Sequence, residues 1–294
     1  MVEERPATAA SNAALAPKLT AVVTGATSGL GREIAEALAA AGAAVGIVAR
    51  DAARGAATKT AIDAVSGSSA SRVFMADLSR PADVRQLAAD VLEASARLDI
   101  LVHCAAVYTR HRTLTADGLE SMFATNQLAP FLLTNLLRDR LVASAPARVL
   151  IVTAPAGNRI DFDDLTAERG FSSLPRFGAS KAADLLLTRE FARRFEATGV
   201  TVNAVHPGLV KTDLMTGAPA FLRWGVRLVS APPAKAAAAI TPLLLAPDYA
   251  TRSGLFFKDG KEIDPPAYTR DADEARRLWD VDASLVGLAR DAPA

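Results

Sequence analysis

From residue 19 to about residue 257, short apolar runs of β type alternate with longer stretches of helical spacing. The β-type runs fall at 19–24, 44–49, 72–75, 100–103, 149–153, 200–205 and 255–257. Helical spacing fills the intervals, as at 32–41, 82–96 and 179–197. Strands that are apolar throughout, separated by helices, belong to a parallel sheet covered on both faces. The expected fold class is therefore α/β, a single doubly wound domain with a mostly parallel seven-stranded sheet. No Gly/Ser/Pro-rich linker divides the chain, so residues 18–294 read as one domain and residues 1–17 as a flexible N-terminal tail. The many alanines are good helix formers at tight helix–sheet contacts.

Charge and cysteine content narrow the function classes. With 33 basic and 32 acidic side chains the net charge is +1, which offers no general attraction to nucleic acid or to an anionic membrane. One cysteine cannot form an internal disulfide and fits a reducing compartment. Apolar runs are far too short to span a bilayer, and the first residues lack the basic start and apolar core of a signal peptide. Membrane insertion is not expected and a cytoplasmic location is. Three histidines far apart in sequence lack metal-ligand spacing, so no metal is expected.

The first β run leads directly into a glycine-rich turn, Thr24-Gly25-Ala26-Thr27-Ser28-Gly29-Leu30-Gly31, and then into a helix. Gly25 permits a sharp exit from the strand, Gly29 lets backbone approach a pyrophosphate, and Gly31 lets the helix close on the sheet. The helix N-terminus offers free N–H groups and a partial positive charge to phosphates. A tight turn without a ligand would also use glycine. The strand–turn–helix setting at the first strand favours a dinucleotide and a Rossmann-type fold.

The spacing TGxxxGxG resembles the short-chain dehydrogenase/reductase family, and the resemblance extends over roughly residues 19 to 290. Asp77-Leu78 comes after the third strand, where the family contacts adenine. Asn126, in Thr125-Asn126-Gln127-Leu128, stands at the family's helix asparagine. Gly178-Ala179-Ser180-Lys181 matches the end of the active-site motif, and the segment from Val202 through Pro207-Gly208 to Thr212 matches the border of the nicotinamide. Ile160-Asp161-Phe162-Asp163-Asp164-Leu165 and Asp259-Gly260-Lys261-Glu262 are similar to the retinol-dehydrogenase-like branch. The resemblance implies cofactor contacts at Thr24, Gly25, Ser28, Gly29, Leu30, Gly31, Arg50, Asp77, Leu78, Ala105, Lys181, Pro207, Gly208, Val210 and Thr212. It also implies a small-molecule substrate and association of copies, with the long helices around Asn126 and Lys181 as candidates for a homo-oligomer interface.

Charge at the end of the second strand bears on which dinucleotide. Users of NAD in this family place an acid there, where it accepts from the ribose 2′-hydroxyl. Here the position is Arg50, whose guanidinium can pair with a 2′-phosphate, and Arg54 lies one turn on. The expected cofactor is NADP(H), although a solvated strand-end arginine with Asp51 beside it is the plainer alternative.

The resemblance breaks at the substrate. Members that reduce carbonyls use Asn, Ser, Tyr and Lys together, the tyrosine passing the proton and the serine holding the substrate oxygen. This chain has Phe177 at the tyrosine and Ala154 at the serine, while Lys181 and Asn126 are retained. A phenyl ring keeps the shape of tyrosine and cannot transfer a proton. Losing a positioned acid typically costs about 10²–10⁴ in rate, and losing the serine's hydrogen bond costs more. The family's Asn-Asn-Ala-Gly after strand four reads His103-Cys104-Ala105-Ala106. Phe-for-Tyr and Ala-for-Ser would also inactivate a reductase by design, but the third change serves no such purpose, so natural divergence accounts for all three more simply.

Few side chains can stand in for the acid. Thr153 should point to the face opposite Ala154. Tyr108 and His111 lie on the loop after strand four, at the ligand edge, where solvated residues are also common. Two readings remain. One is an atypical enzyme acting on a small apolar or aromatic substrate, by hydride transfer or by a redox-neutral step. The other is a catalytically inactive NADP(H)-binding or regulatory protein. Phe221 and Trp224, three residues apart in an apolar stretch, suit an apolar or aromatic substrate. The segment from Asp271 to Trp279 reads as a final amphipathic helix that packs Leu278 and Trp279 back over the domain.

Overall fold

Each short run of valine, isoleucine, leucine and alanine forms a strand, and neighbouring runs pair through parallel ladders. The structure, a computed structural model, describes residues 19–211 and 230–289. The strands are β1 (Thr20–Thr24), β2 (Ala44–Ala49), β3 (Arg72–Met75), β4 (Ile100–His103), β5 (Ala147–Val152), β6 (Val200–His206), β7 (Phe256–Lys258) and β8 (Lys261–Glu262). Their order in the sheet is β3-β2-β1-β4-β5-β6-β7-β8. Among the described residues the expectation of seven strands is corrected to eight. β8 is only two residues long and pairs antiparallel with β7 across Asp259-Gly260. Both turn residues have positive φ, 50° and 72°, the backbone a two-residue hairpin requires.

The helices between the strands are α1 (Gly29–Ala40), α2 (Ala52–Ser66), α3 (Pro81–Ala94), α4, α5 (Arg138–Ala143), α6 (Ser173–Arg194), α7 (Pro233–Leu245) and α8 (Ala272–Val286). α4 is composite: it starts at Ser121–Phe123, widens into a π-turn over Ala124–Leu128 and continues as Ala129–Leu136. α6 begins six residues before the stretch that its periodicity marks. Pro175 sits within its first turn, where a missing N–H leaves no intrahelical bond unmade.

The sheet separates two apolar layers. α1, α2 and α7 cover one face through Ile34, Leu38, Ile62 and Ile240. α3, α4, α6 and α8 cover the other through Leu87, Phe131, Leu186, Phe191 and Trp279. Trp279 is fully buried, as the final amphipathic helix requires, and its indole meets Phe131 at 4.8 Å and Phe191 at 4.9 Å, edge-on in both cases. Such pairs add about 0.5–1.5 kcal/mol each beyond the area they bury. Among the described residues no helix is long and apolar enough to cross a membrane. The chain leaves β1 toward one side of the sheet and β4 toward the other, so a crevice opens between their C-terminal ends, where sheets of this order bind ligands.

Candidate functional site

At that crevice the glycine turn is locked to the end of β4. Thr24 Oγ1 accepts the N–H groups of Cys104 at 3.1 Å and Ala105 at 3.2 Å, and donates to the Val102 carbonyl at 3.4 Å. Gly25 has φ +69°, and a Cβ there would sit 2.8 Å from the Ala105 backbone. A Cβ on Gly31 would collide with the Gly25 carbonyl. These two positions accept glycine alone, for the close approach that the sequence implies. Gly29 opens α1 with φ +51°, Leu30 is buried, and the N-cap Ser28 makes no side-chain bond to the helix. The N-terminus of α1 therefore faces the crevice without a capping side chain. That arrangement fits a dinucleotide pyrophosphate.

Other expected cofactor residues line the same edge. Arg50 is exposed immediately after β2, while Asp51 turns its carboxylate to α2 and accepts the Arg54 N–H at 2.8 Å. Asp77 accepts the Ser79 N–H at 3.0 Å and is half-buried beside the buried Leu78. Thr24, Leu78, His103 and Ala105 line a narrow cleft with Thr125 and Ala129. Pro207 and Gly208 (φ +77°) come directly after β6, and Val210 forms a bridge with Ala231. Thr212, and the stretch carrying Phe221 and Trp224, lie outside the described residues.

The residues next to Thr24 are packing variants. His103 is buried with Nε2 2.8 Å from Thr134 Oγ1, and burial pushes its pKa down to about 3, so the ring is neutral. Burial likewise pushes the Cys104 thiol up to about 12, which leaves it unreactive. His206 is half-buried and its pKa is lowered by the same cause. Among the described residues no group of three or more His, Cys, Asp or Glu is placed to hold a metal ion.

The residues expected to be retained from the catalytic set are held by specific bonds. Asn126 lies in the π-turn of α4, a local widening that recurs at functional sites. Its Oδ1 accepts the Val107 N–H at 2.7 Å, and its Nδ2 donates to the Val107 carbonyl at 3.0 Å and to Ser180 Oγ at 3.1 Å. Ser180 in turn donates to the Phe177 carbonyl at 2.8 Å. Lys181 is buried, and its Nζ donates to the Val152 carbonyl at 3.2 Å and to Asp184 Oδ2 at 2.9 Å. Asp184 is fully buried, which raises its pKa to about 6 against the opposing pull of Lys181. Thr153 faces α6, where Oγ1 donates to the Lys181 carbonyl at 2.9 Å, so it anchors the helix.

Phe177 occupies the middle of this arrangement. Its ring lies 5.9 Å from Lys181 Nζ and meets Tyr108 edge-on with centroids 5.8 Å apart. Ala154 lies just past β5, half-buried and without a polar side-chain atom. Tyr108 Oη bonds to Ser173 Oγ at 2.8 Å, whereas His111 is exposed. Sequence reading missed Asp184 and Ser173. The available signal for Asp184 was a lone acid in an apolar stretch, three residues after Lys181 and so on its side of the helix.

The family model described as short chain dehydrogenase matches residues 19–221. Retinol dehydrogenase 13 of Homo sapiens is 39% identical over 228 residues, covering 72% of this chain and 67% of the relative. Retinol dehydrogenase 14 of Mus musculus is 37% identical over 222 residues, covering 73% of this chain and 66% of the relative. The chain thus spans about two thirds of the length of these curated relatives. Among solved structures, the Pseudomonas aeruginosa RhlG/NADP active-site complex is similar with a TM-score of 0.68 and 29% identity, over 87% of this chain and 97% of that one. A short-chain dehydrogenase from Burkholderia cenocepacia J2315 in complex with NADP has a TM-score of 0.67 and 28% identity, over 85% and 97%.

Proposed function

We propose, from the premise that this chain belongs to the short-chain dehydrogenase family and to its retinol-dehydrogenase-like branch, that it is an NADP(H)-dependent enzyme of altered chemistry. Its scaffold is that of an oxidoreductase. It acts on a small apolar or aromatic substrate by hydride transfer and does so without the family's usual tyrosine and serine. The observation that carries this reading is the contrast within one site. Asn126, Lys181 and the glycine turn are held in place by bonds and close packing, while Phe177 and Ala154 present only hydrocarbon between them.

Thr24 to Gly31 and the open start of α1 would hold the pyrophosphate, Arg50 the 2′-phosphate, and Lys181 the nicotinamide ribose. When bound, NADPH would supply a hydride. The protein's own share is to exclude water, with the rings of Phe177 and Tyr108 as walls, and to orient the acceptor. Neutral His103 and Cys104 add no charge beside the turn. Those aromatic walls support the assignment of an apolar or aromatic substrate.

A second reading has its own support. The ammonium of Lys181 is drawn into a buried pair with Asp184, an arrangement suited to a protein that binds NADP(H) without turnover. Fluorescence titration with NADPH, together with assays of aldehydes and ketones, separates the two. Saturable binding and turnover by the chain as it stands are expected. Turnover only after Phe177→Tyr with Ala154→Ser would leave the binding reading in place, and absence of NADPH binding would falsify both.

A further inference from the structure

Phe177 removes a phenol from α6, yet a phenol stands against it. Tyr108 belongs to the loop that leaves β4 at the ligand edge of the sheet, and three contacts fix its place. Asn126 grips both backbone groups of the preceding residue, Val107, at 2.7 and 3.0 Å. The Tyr108 ring meets Phe177 edge-on at 5.8 Å. Its hydroxyl lies 2.8 Å from Ser173 Oγ. Ser173 opens α6 four residues before Phe177, so both side chains share one helix face and the hydroxyl pair sits one turn from the ring. Tyr108 and Ser173 are both half-buried.

The geometry points to Tyr108 as the group that contacts the substrate oxygen, with Ser173 as its partner. The inference rests on the proposed hydride-transfer function. A phenol and a serine hydroxyl are restored beside the hydrocarbon wall, from a loop and a helix start rather than from residues 177 and 154. The apolar surface of the Tyr108–Phe177 ring pair suits an aromatic or conjugated carbonyl compound. As hydride from the reduced dinucleotide reaches the carbonyl carbon, the π pair moves to oxygen. The Tyr108 O–H bond then breaks and its proton forms the product hydroxyl. The phenolate recovers a proton from Ser173, which recovers one from water, so one hydride and one proton convert C=O to CH–OH.

The chain has three tyrosines, Tyr108, Tyr249 and Tyr268, so carbon-13 labelling at Cζ gives a spectrum that Tyr108→Phe assigns directly. The probe is benzamide, an aromatic carbonyl that is not reduced, with toluene as the control without oxygen. Benzamide should move the Tyr108 signal and leave the other two in place, and toluene should move it much less. In turnover, Tyr108→Phe should lower kcat by about 10²–10⁴ with unchanged NADPH affinity. Ser173→Ala should lower it less and alter the pH profile. An unmoved Tyr108 signal, or full turnover by Tyr108→Phe, overturns the assignment. If NADPH binds and no variant turns over, the proposed function fails by itself. The benzamide arm then decides the contact alone, movement supporting it and its absence overturning it.

Discussion

Arg50 and Asp51 are adjacent, oppositely charged and put to different uses. Asp51 is the N-cap of α2 and accepts the Arg54 N–H at 2.8 Å, a bond that typically stabilises a helix by about 1 kcal/mol. Its carboxylate is therefore turned away from the position at which an acid would accept from a ribose hydroxyl. Arg50 is exposed and has no ion-pair partner among the described residues. The sequence marks both residues but does not say which one meets the cofactor, because a cap is recognised by where the helix starts. A charge-assisted bond to phosphate contributes roughly 1.5–3 kcal/mol. Arg50→Ala is accordingly expected to weaken NADPH binding about 10- to 100-fold and NADH binding by little. Parallel fluorescence titrations check this, and equal losses for the two cofactors would dispose of the assigned role.

The glycine turn and the positions of the longer strands were legible because each depends on neighbours in sequence, as with Gly25 and Gly31 closing on one another. β8 was not, since two residues carry no periodicity, even though Asp259-Gly260 is a hairpin pair. The π-turn of α4 was hidden for another reason: one extra residue in a turn leaves the apolar spacing almost intact while rotating the rest of the helix. Within this turn Asn126 bonds to Val107 and its neighbour Gln127 to α8. Gln127 Nε2 donates to Asp282 Oδ2 across 155 positions of sequence, a pairing that local pattern cannot reveal. Asp282 is fully buried, its Oδ1 and the Gln127 Oε1 have no partner among the described residues, and burial raises its pKa well above the usual value. A carboxyl with a raised folded-state pKa contributes stability that is fully present below its unfolded value, near 4, and is lost as pH rises through the folded value. Asp282→Asn keeps the acceptor and adds a donor for Gln127 Oε1. It should stabilise the protein at pH 7 by about 1–3 kcal/mol and flatten the dependence of Tm on pH. Thermal unfolding at pH 5 and pH 8 tests this, and a variant less stable than the parent at pH 8 would refute it.

At the scale of the whole molecule, α8 determines what the sheet's second face can meet. The sequence points to the helices around Asn126 and Lys181 as the ground for association between copies. In the fold, Trp279 of α8 lies between Phe131 of α4 and Phe191 of α6, with the Arg194 guanidinium 3.9 Å from its ring centroid. Leu278 and Val286 extend the same contact into the core. The chain thereby covers this apolar face with its own helix. Light scattering on the purified protein should give the mass of one chain at micromolar concentration. Trp279→Ala removes a fully buried indole and should destabilise the fold by about 3–5 kcal/mol. With α8 loosened, Phe131 and Phe191 become available, so the same variant should associate as its concentration rises. A parent protein that stays dimeric on dilution, or a variant that stays monomeric despite the lost stability, would show that α8 does not govern this face.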